Sequence, residues 1–139
     1  MLSDDQSRAL RCLVEMMIPA STEYGVPSAA DDAIFADILQ SFGRDADHVM
    51  TVLRGLGRFA DLNPARRQAR LAELRERGGE ALAGLCRVIL QCYYRDDRVM
   101  RSLGMEPRPP FPTGHEVEQG DWSLLDPVRK RAKFYRDVA

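Results

Sequence analysis

The side chains best equipped for chemistry lie between residues 93 and 122. Tyr93-Tyr94-Arg95 runs straight into the carboxylate pair Asp96-Asp97, with His115 further along. Paired carboxylates perform general acid–base chemistry when burial drives their pKa values apart, and a tyrosine or histidine can extend the proton path. The same pattern has a plainer use. Asp4-Asp5 and Asp31-Asp32 are further pairs, and all three precede apolar periodic runs. There a carboxylate accepts orphan N–H groups of a helix start and meets its positive dipole end. Capping accounts for all three pairs. An enzyme built on Asp96 or Asp97 with Tyr94 and His115 accounts for one.

Other chemical signatures are weaker. Gly55-Leu56-Gly57-Arg58-Phe59-Ala60 fits the G-x-G-x-x-A dinucleotide pattern. That motif works only between a strand and a helix, where the glycines admit a pyrophosphate onto the helix start. Here it falls near the end of a helical run. His48 and His115 are the only histidines, neither is part of an H-E-x-x-H, and Cys12, Cys86 and Cys92 make no C-x-x-C. No metal or other cofactor is expected on this chain. No serine or cysteine sits in a nucleophile motif such as G-x-S-x-G.

Recognition is better represented. Pro107, Pro109, Pro110 and Pro112 fix φ and remove four backbone donors, which predicts a stiff, polyproline-like arm. The arm carries Arg108, Pro110 and Phe111, and beyond them Trp122, Leu124 and Leu125. Tyr, Trp and Arg often anchor interfaces, because each buries much area with few rotors or offers forked donors. The candidate partner interface is therefore Tyr93, Tyr94, Arg95, Arg108, Pro110, Phe111, Trp122 and Leu124. The alternative is that the arm folds back over its own helices. Arg66, Arg67, Arg70, Arg75 and Arg77 are interleaved with Glu73 and Glu76, the pattern of a solvated helix face. Arg129, Lys130, Arg131, Lys133 and Arg136 suit an acidic partner or a solvated tail equally.

The elements that position these residues read as helices. Ser3 and Gln6 make a capping box before Leu10, Leu13, Val14, Met17 and Ile18, so residues 3–18 are predicted helical. A second helix starts at Asp31-Asp32 with Ile34, Phe35, Ile38, Leu39 and Phe42 on its buried face. A third is predicted over 44–60, and a fourth begins at Asn63-Pro64 and ends at Gly78-Gly79. The fifth, over 80–94, is the most apolar and is expected to be central. A short sixth is capped by Asp96 or Asp97 and closed by Gly104, and Asp126-Pro127 opens a basic terminal helix. The expectation is an all-α fold: a compact body of about six helices over 1–104, with an arm and terminal helix over 105–139 as part of the same domain.

The 139 residues suffice for one core, and a net charge of −1 gives no global pull toward nucleic acid or anionic lipid. No apolar run approaches the roughly 18–20 residues of a membrane span. The N-terminus is acidic where a secretory signal is basic and lacks a twin-arginine pair. With an odd number of cysteines, cytoplasmic residence with free thiols is expected, or periplasmic residence only if the chain is exported with a partner.

Three segments resemble the gluconate 2-dehydrogenase subunit 3 family, across most of the chain. Leu13-Val14-Glu15-Met16-Met17-Ile18-Pro19-Ala20 is similar to its opening helix ending in I-I-P-A. Phe59-Ala60-Asp61-Leu62-Asn63-Pro64-Ala65-Arg66-Arg67 is similar to its F-x-x-L-x-P-x-x-R helix start. Tyr93-Tyr94, Leu103-Gly104 and Pro109-Pro110-Phe111-Pro112-Thr113-Gly114 resemble its G-Y-Y, L-G-Y and P-P-x-P-x-G-Y segments, with His115 where an aromatic often stands. The resemblance implies a small, non-catalytic helical subunit. Its partner would be a large FAD-dependent dehydrogenase subunit of the glucose–methanol–choline type that oxidises sugars or polyols. The flavin would sit on that partner. Two other functions compete with this one: a stand-alone enzyme using Asp96 or Asp97, and a self-assembling structural protein that swaps its arm.

Overall fold

A computed structural model of the chain describes residues 2–116 and 118–133. These fall into two compact units divided after Pro107, three residues beyond the boundary read from Gly104. The fold is all-α, and among the described residues there is no β-strand, only one isolated bridge between Ser21 and Val26.

The first unit holds six α-helices. Helix α1 (Asp4–Met17) begins with the capping box: Ser3 Oγ accepts from Gln6 N–H at 3.2 Å, and Gln6 Oε1 accepts from Ser3 N–H at 3.0 Å. Its buried face is Ala9, Leu10, Leu13 and Val14. Helix α2 (Asp32–Gln40) is capped by Asp31, which accepts from Ala33 N–H, and buries Ile34, Phe35 and Ile38. Leu39 lies at the edge, 37% exposed.

The predicted third helix is shorter than expected. Helix α3 (Ala46–Leu56) follows a 3₁₀ turn (Gly43–Asp45) and stops at Gly57, whose φ of +54° no right-handed helix can contain. A separate 3₁₀ turn (Phe59–Asp61) then delivers Phe59 into the core with no exposure at all. Helix α4 (Pro64–Arg77) starts as read, with Asn63 Oδ1 accepting from Arg66 N–H at 2.9 Å and proline in its first turn. It has no fully buried residue; Leu71 and Leu74 only lean on the core. Helices α5 (Gly79–Tyr94) and α6 (Asp97–Ser102) complete the unit.

Helix α5 is central, as its composition predicts, touching α2, α3, α4 and α6. Its contact with α3 is the most extensive and depends on Gly84. A Cβ there would lie 2.7 Å from His48 Cβ, closer than two carbons can approach. The helices can therefore meet only across a bare backbone.

One charge is buried at this contact. Asp45 is 5% exposed and receives a forked bond from Arg87 of α5, Nε–Oδ2 at 3.1 Å and Nη2–Oδ1 at 2.9 Å. Its other neighbours are His48, with Nδ1 at 3.5 Å, and Arg44, with Nε at 4.0 Å. The Arg87 guanidinium holds the Asp45 carboxyl below the ordinary carboxylate range, working against the desolvation that would raise it. A depressed folded-state pKa adds stability that is fully present above the unfolded value of about 4 and drains away as pH falls through the folded value. Asp45→Asn is expected to lower stability at pH 7 and to flatten the decline below about pH 4. Urea unfolding at stepped pH checks this; an acid limb as steep as the wild type's would remove Asp45 as a source of the pH dependence.

Candidate partner-binding site

At the end of α5 the sequence motif Tyr93-Tyr94-Arg95 separates into three different roles. Tyr93 is corrected from interface to core: it is 5% exposed, and its hydroxyl donates to the Pro27 carbonyl at 3.2 Å. Helical spacing explains this, because Tyr93 continues the stripe of Leu85, Val88, Ile89 and Cys92. Burial pushes its phenol pKa up. Tyr94 meets Tyr93 edge to face, centroids 5.4 Å apart at 84°, and keeps 53% of its surface in solvent.

Arg95 caps α5 and turns back to α2. Its guanidinium forks onto both oxygens of Asp37, with Nε–Oδ2 at 2.6 Å, and donates to Ser41 Oγ at 2.6 Å. Asp37 is held below the carboxylate range chiefly by this fork. Arg95 therefore braces α5 against α2 while its side chain stays exposed. Tyr94 alone of the three presents a free ring face.

The carboxylate pair behind them behaves as capping requires. Asp96 accepts from Arg98 N–H at 2.9 Å as the N-cap of α6. One guanidinium, Arg98, also bonds both N-cap carboxylates: Asp96 through Nε at 3.0 Å and Nη2 at 2.9 Å, and Asp31 through Nη1 at 3.1 Å and Nη2 at 2.7 Å. Arg98 thereby ties the start of α6 to the start of α2. Its hydrogen bonds are the largest cause of the lowered pKa of both acids. A carboxyl held ionised in this way is a weak proton acceptor near neutral pH. Asp97 pairs with Arg101 one turn on, at 3.2 Å, and His115 belongs to the second unit.

The remaining motifs resolve structurally. Gly55 and Gly57 lie at the end of α3, where the Gly55 carbonyl accepts from Arg70 Nη2 at 2.6 Å, so no strand-to-helix phosphate turn exists there. Arg70 and Arg77 both pair with Glu73, and Arg67 donates to the Ala60 carbonyl at 2.6 Å, so α4 shows the laced basic face its sequence suggests. Among the described residues no group of three or more His, Cys, Asp or Glu converges as metal ligands, and no helix is long and apolar enough to cross a membrane.

The second unit carries the rest of the expected interface. Its proline segment departs from the extended arm read from sequence. Arg108 Nη1 donates to Thr113 Oγ1 at 2.9 Å, Gly114 N–H donates to the Pro110 carbonyl, and the Phe111–Pro112 peptide is cis. A polyproline helix has no internal hydrogen bonds, whereas these two close residues 108–114 into a turn. Phe111 stands on that turn, 85% exposed.

Further on, a 3₁₀ turn (Trp122–Leu125) leads directly into α7 (Asp126–Arg129), with Pro127 in its first turn as expected. Asp121 starts the turn: its Oδ1 accepts from Ser123 N–H at 3.0 Å and Ser123 Oγ–H at 2.6 Å. Trp122 is 61% and Leu124 74% exposed, and Leu125 and Val128 are exposed beside them. Val128 and the Asp121 cap did not figure in the sequence-derived interface. The spacing of Trp122, Leu125 and Val128, three apart, and the Asp-x-Ser cap were the available signals. The terminal helix ends at Arg129. Arg131 and Lys133 follow it, and Arg136 lies outside the described residues.

No protein-family model, curated protein or solved structure matches this chain in the comparisons with known proteins.

Proposed function

We propose that this chain is a non-catalytic small subunit that binds and stabilises a large FAD-dependent dehydrogenase of the glucose–methanol–choline type acting on sugars or polyols. One observation carries the proposal: the second unit leaves Phe111, Trp122, Leu124, Leu125 and Val128 in solvent within about twenty residues of chain. Large apolar groups concentrated in this way are characteristic of protein-binding surfaces. Tyr94 on the first unit adds an amphipathic ring of the kind enriched at interfaces. The similarity of the Pro109–Gly114 segment and of the two earlier motifs to gluconate 2-dehydrogenase subunit 3 supplies the class of partner. Flavin and the oxidation chemistry belong, in this proposal, to the large subunit. The commitment of Asp96 to capping and to Arg98 supports a chain without a catalytic carboxylate of its own.

An electron-acceptor dye assay tests the division of labour. The isolated chain is expected to reduce no dye across a panel of sugars and polyols, and the heteromer is expected to do so. Turnover by the isolated chain that disappears in Asp96→Ala or Asp97→Ala would overturn the proposal in favour of a stand-alone enzyme.

A further inference from the structure

Residues 122–133 divide by chemistry. Trp122, Leu124, Leu125 and Val128 fill four of the first seven positions and are all exposed. The five positions that follow hold Arg129, Lys130, Arg131 and Lys133, also all exposed. The segment's one acid, Asp126, pairs with Arg129 at 3.5 Å, and Asp121 just before it is engaged by Ser123. With Arg129, Lys130, Arg131 and Lys133 against Asp126 alone, residues 122–133 carry a net positive charge in a chain whose overall charge is −1. An apolar half and a cationic half in direct succession call for a surface that is greasy in one place and negative beside it.

Two kinds of surface have that character. An anionic bilayer attracts a tryptophan-bearing basic segment. Asp121 and Asp126, however, stand at the two ends of the apolar turn and would be carried into a negative headgroup layer with it. Asp121 is held ionised by the hydrogen bonds from Ser123, so it would enter charged. A protein groove can set donors opposite those two carboxylates in fixed positions, whereas an anionic headgroup layer sets net negative charge against them. The balance favours a protein.

We propose that residues 122–133 are a two-part docking element: Trp122, Leu124, Leu125 and Val128 seat in an apolar groove of the partner, and Lys130 and Arg131 meet a rim of carboxylates beside it. This rests on the accessory-subunit proposal, which supplies the flavoprotein as the partner, and adds the chemistry of its receiving surface. Apolar contacts set how long such a complex lasts, while exposed rim charges set how fast it forms and how strongly salt slows it.

The test uses the full chain and the flavin-bearing large subunit separated from the native complex, with association followed by surface plasmon resonance from low to high NaCl. Lys130→Glu combined with Arg131→Glu is expected to slow association about tenfold at low salt, leaving dissociation and circular dichroism unchanged. The wild-type rate should fall with salt toward that of the variant. The neutral pair Lys130→Gln with Arg131→Gln should give an intermediate rate, which separates lost attraction from misfolding. Wild-type kinetics in both variants, with a flat salt dependence, would overturn the acidic rim while leaving the heteromer intact. Binding to phosphatidylcholine–phosphatidylserine vesicles that the charge reversal abolishes, with no effect on the flavoprotein, would assign the segment to lipid and overturn the inference. Failure of the large subunit to associate at all would remove both the inference and the proposal beneath it.

Discussion

Phe59→Ala is expected to cost about 3–5 kcal/mol of folding free energy. Phe59 is fully enclosed although it lies in a three-residue 3₁₀ turn between α3 and α4, and that turn packs on α1. Burying a phenylalanine contributes about 1.5–3 kcal/mol by transfer alone, and the cavity left by truncation adds to the deficit. Against a total of about 5–15 kcal/mol for an ordinary domain, the substitution removes a large share. Equilibrium unfolding in urea measures it directly. Phe59→Leu fills most of the volume and should lose far less. A loss below about 1 kcal/mol for the alanine variant would mean that the turn opens easily and that the core closes without it.

Trp122→Ala is expected to act on association and leave folding alone. Trp122 is 61% exposed, so its removal takes little from the isolated chain. A tryptophan that becomes enclosed at the centre of an interface typically costs about 2–4 kcal/mol when truncated, a loss of roughly 30-fold to 1,000-fold in Kd. Titration calorimetry or surface plasmon resonance against the proposed flavoprotein partner reads the change, and circular dichroism verifies the fold. A variant that binds as tightly as the wild type would show that the 3₁₀ turn is not the anchor, and would move attention to Phe111 and Tyr94.

The helices were legible because their signals are local. The Ser3–Gln6 capping box, the Asn63-Pro64 start and the N-caps Asp31 and Asp96 satisfy backbone groups within four residues of themselves, while Asp4-Asp5 sits in the first turn of a helix that Ser3 caps. The centrality of α5 was legible from composition. Other features depend on partners far apart in sequence. Asp45 and Arg87 gave no sign of their pairing, since nothing local marks a carboxylate that will be covered by a helix 42 positions away. The fork of Arg95 onto Asp37, 58 positions away, is equally silent in sequence. Tyr93 shows the reverse failure. Its helical stripe was readable, but the attraction of a Tyr-Tyr-Arg string outweighed the periodicity that places Tyr93 beside Ile89 and Cys92. The proline segment was misjudged for a further reason: four prolines favour extension singly, yet the hydrogen bonds of Thr113 and Gly114 close it into a turn.

The organisation of the second unit also separates the stability of the chain from its proposed task. In the first unit, Arg87, Arg95 and Arg98 are each forked onto a carboxylate of a distant segment, and the apolar residues gather into one core. In the second unit the long apolar side chains face water and the hydrogen bonds are short-range. A chain that has finished its own folding and still displays Phe111, Trp122 and Leu124 is equipped to lend that surface to another protein.

Co-purification tests the central claim most directly. The tagged full chain is isolated from its native host, the eluate's visible spectrum is recorded, and its components are identified by mass spectrometry. The expected result is one stoichiometric large chain of the FAD-dependent dehydrogenase type, with flavin absorbance and sugar- or polyol-dependent dye reduction. A colourless eluate containing this chain alone, monomeric or self-associated, would contradict the claim.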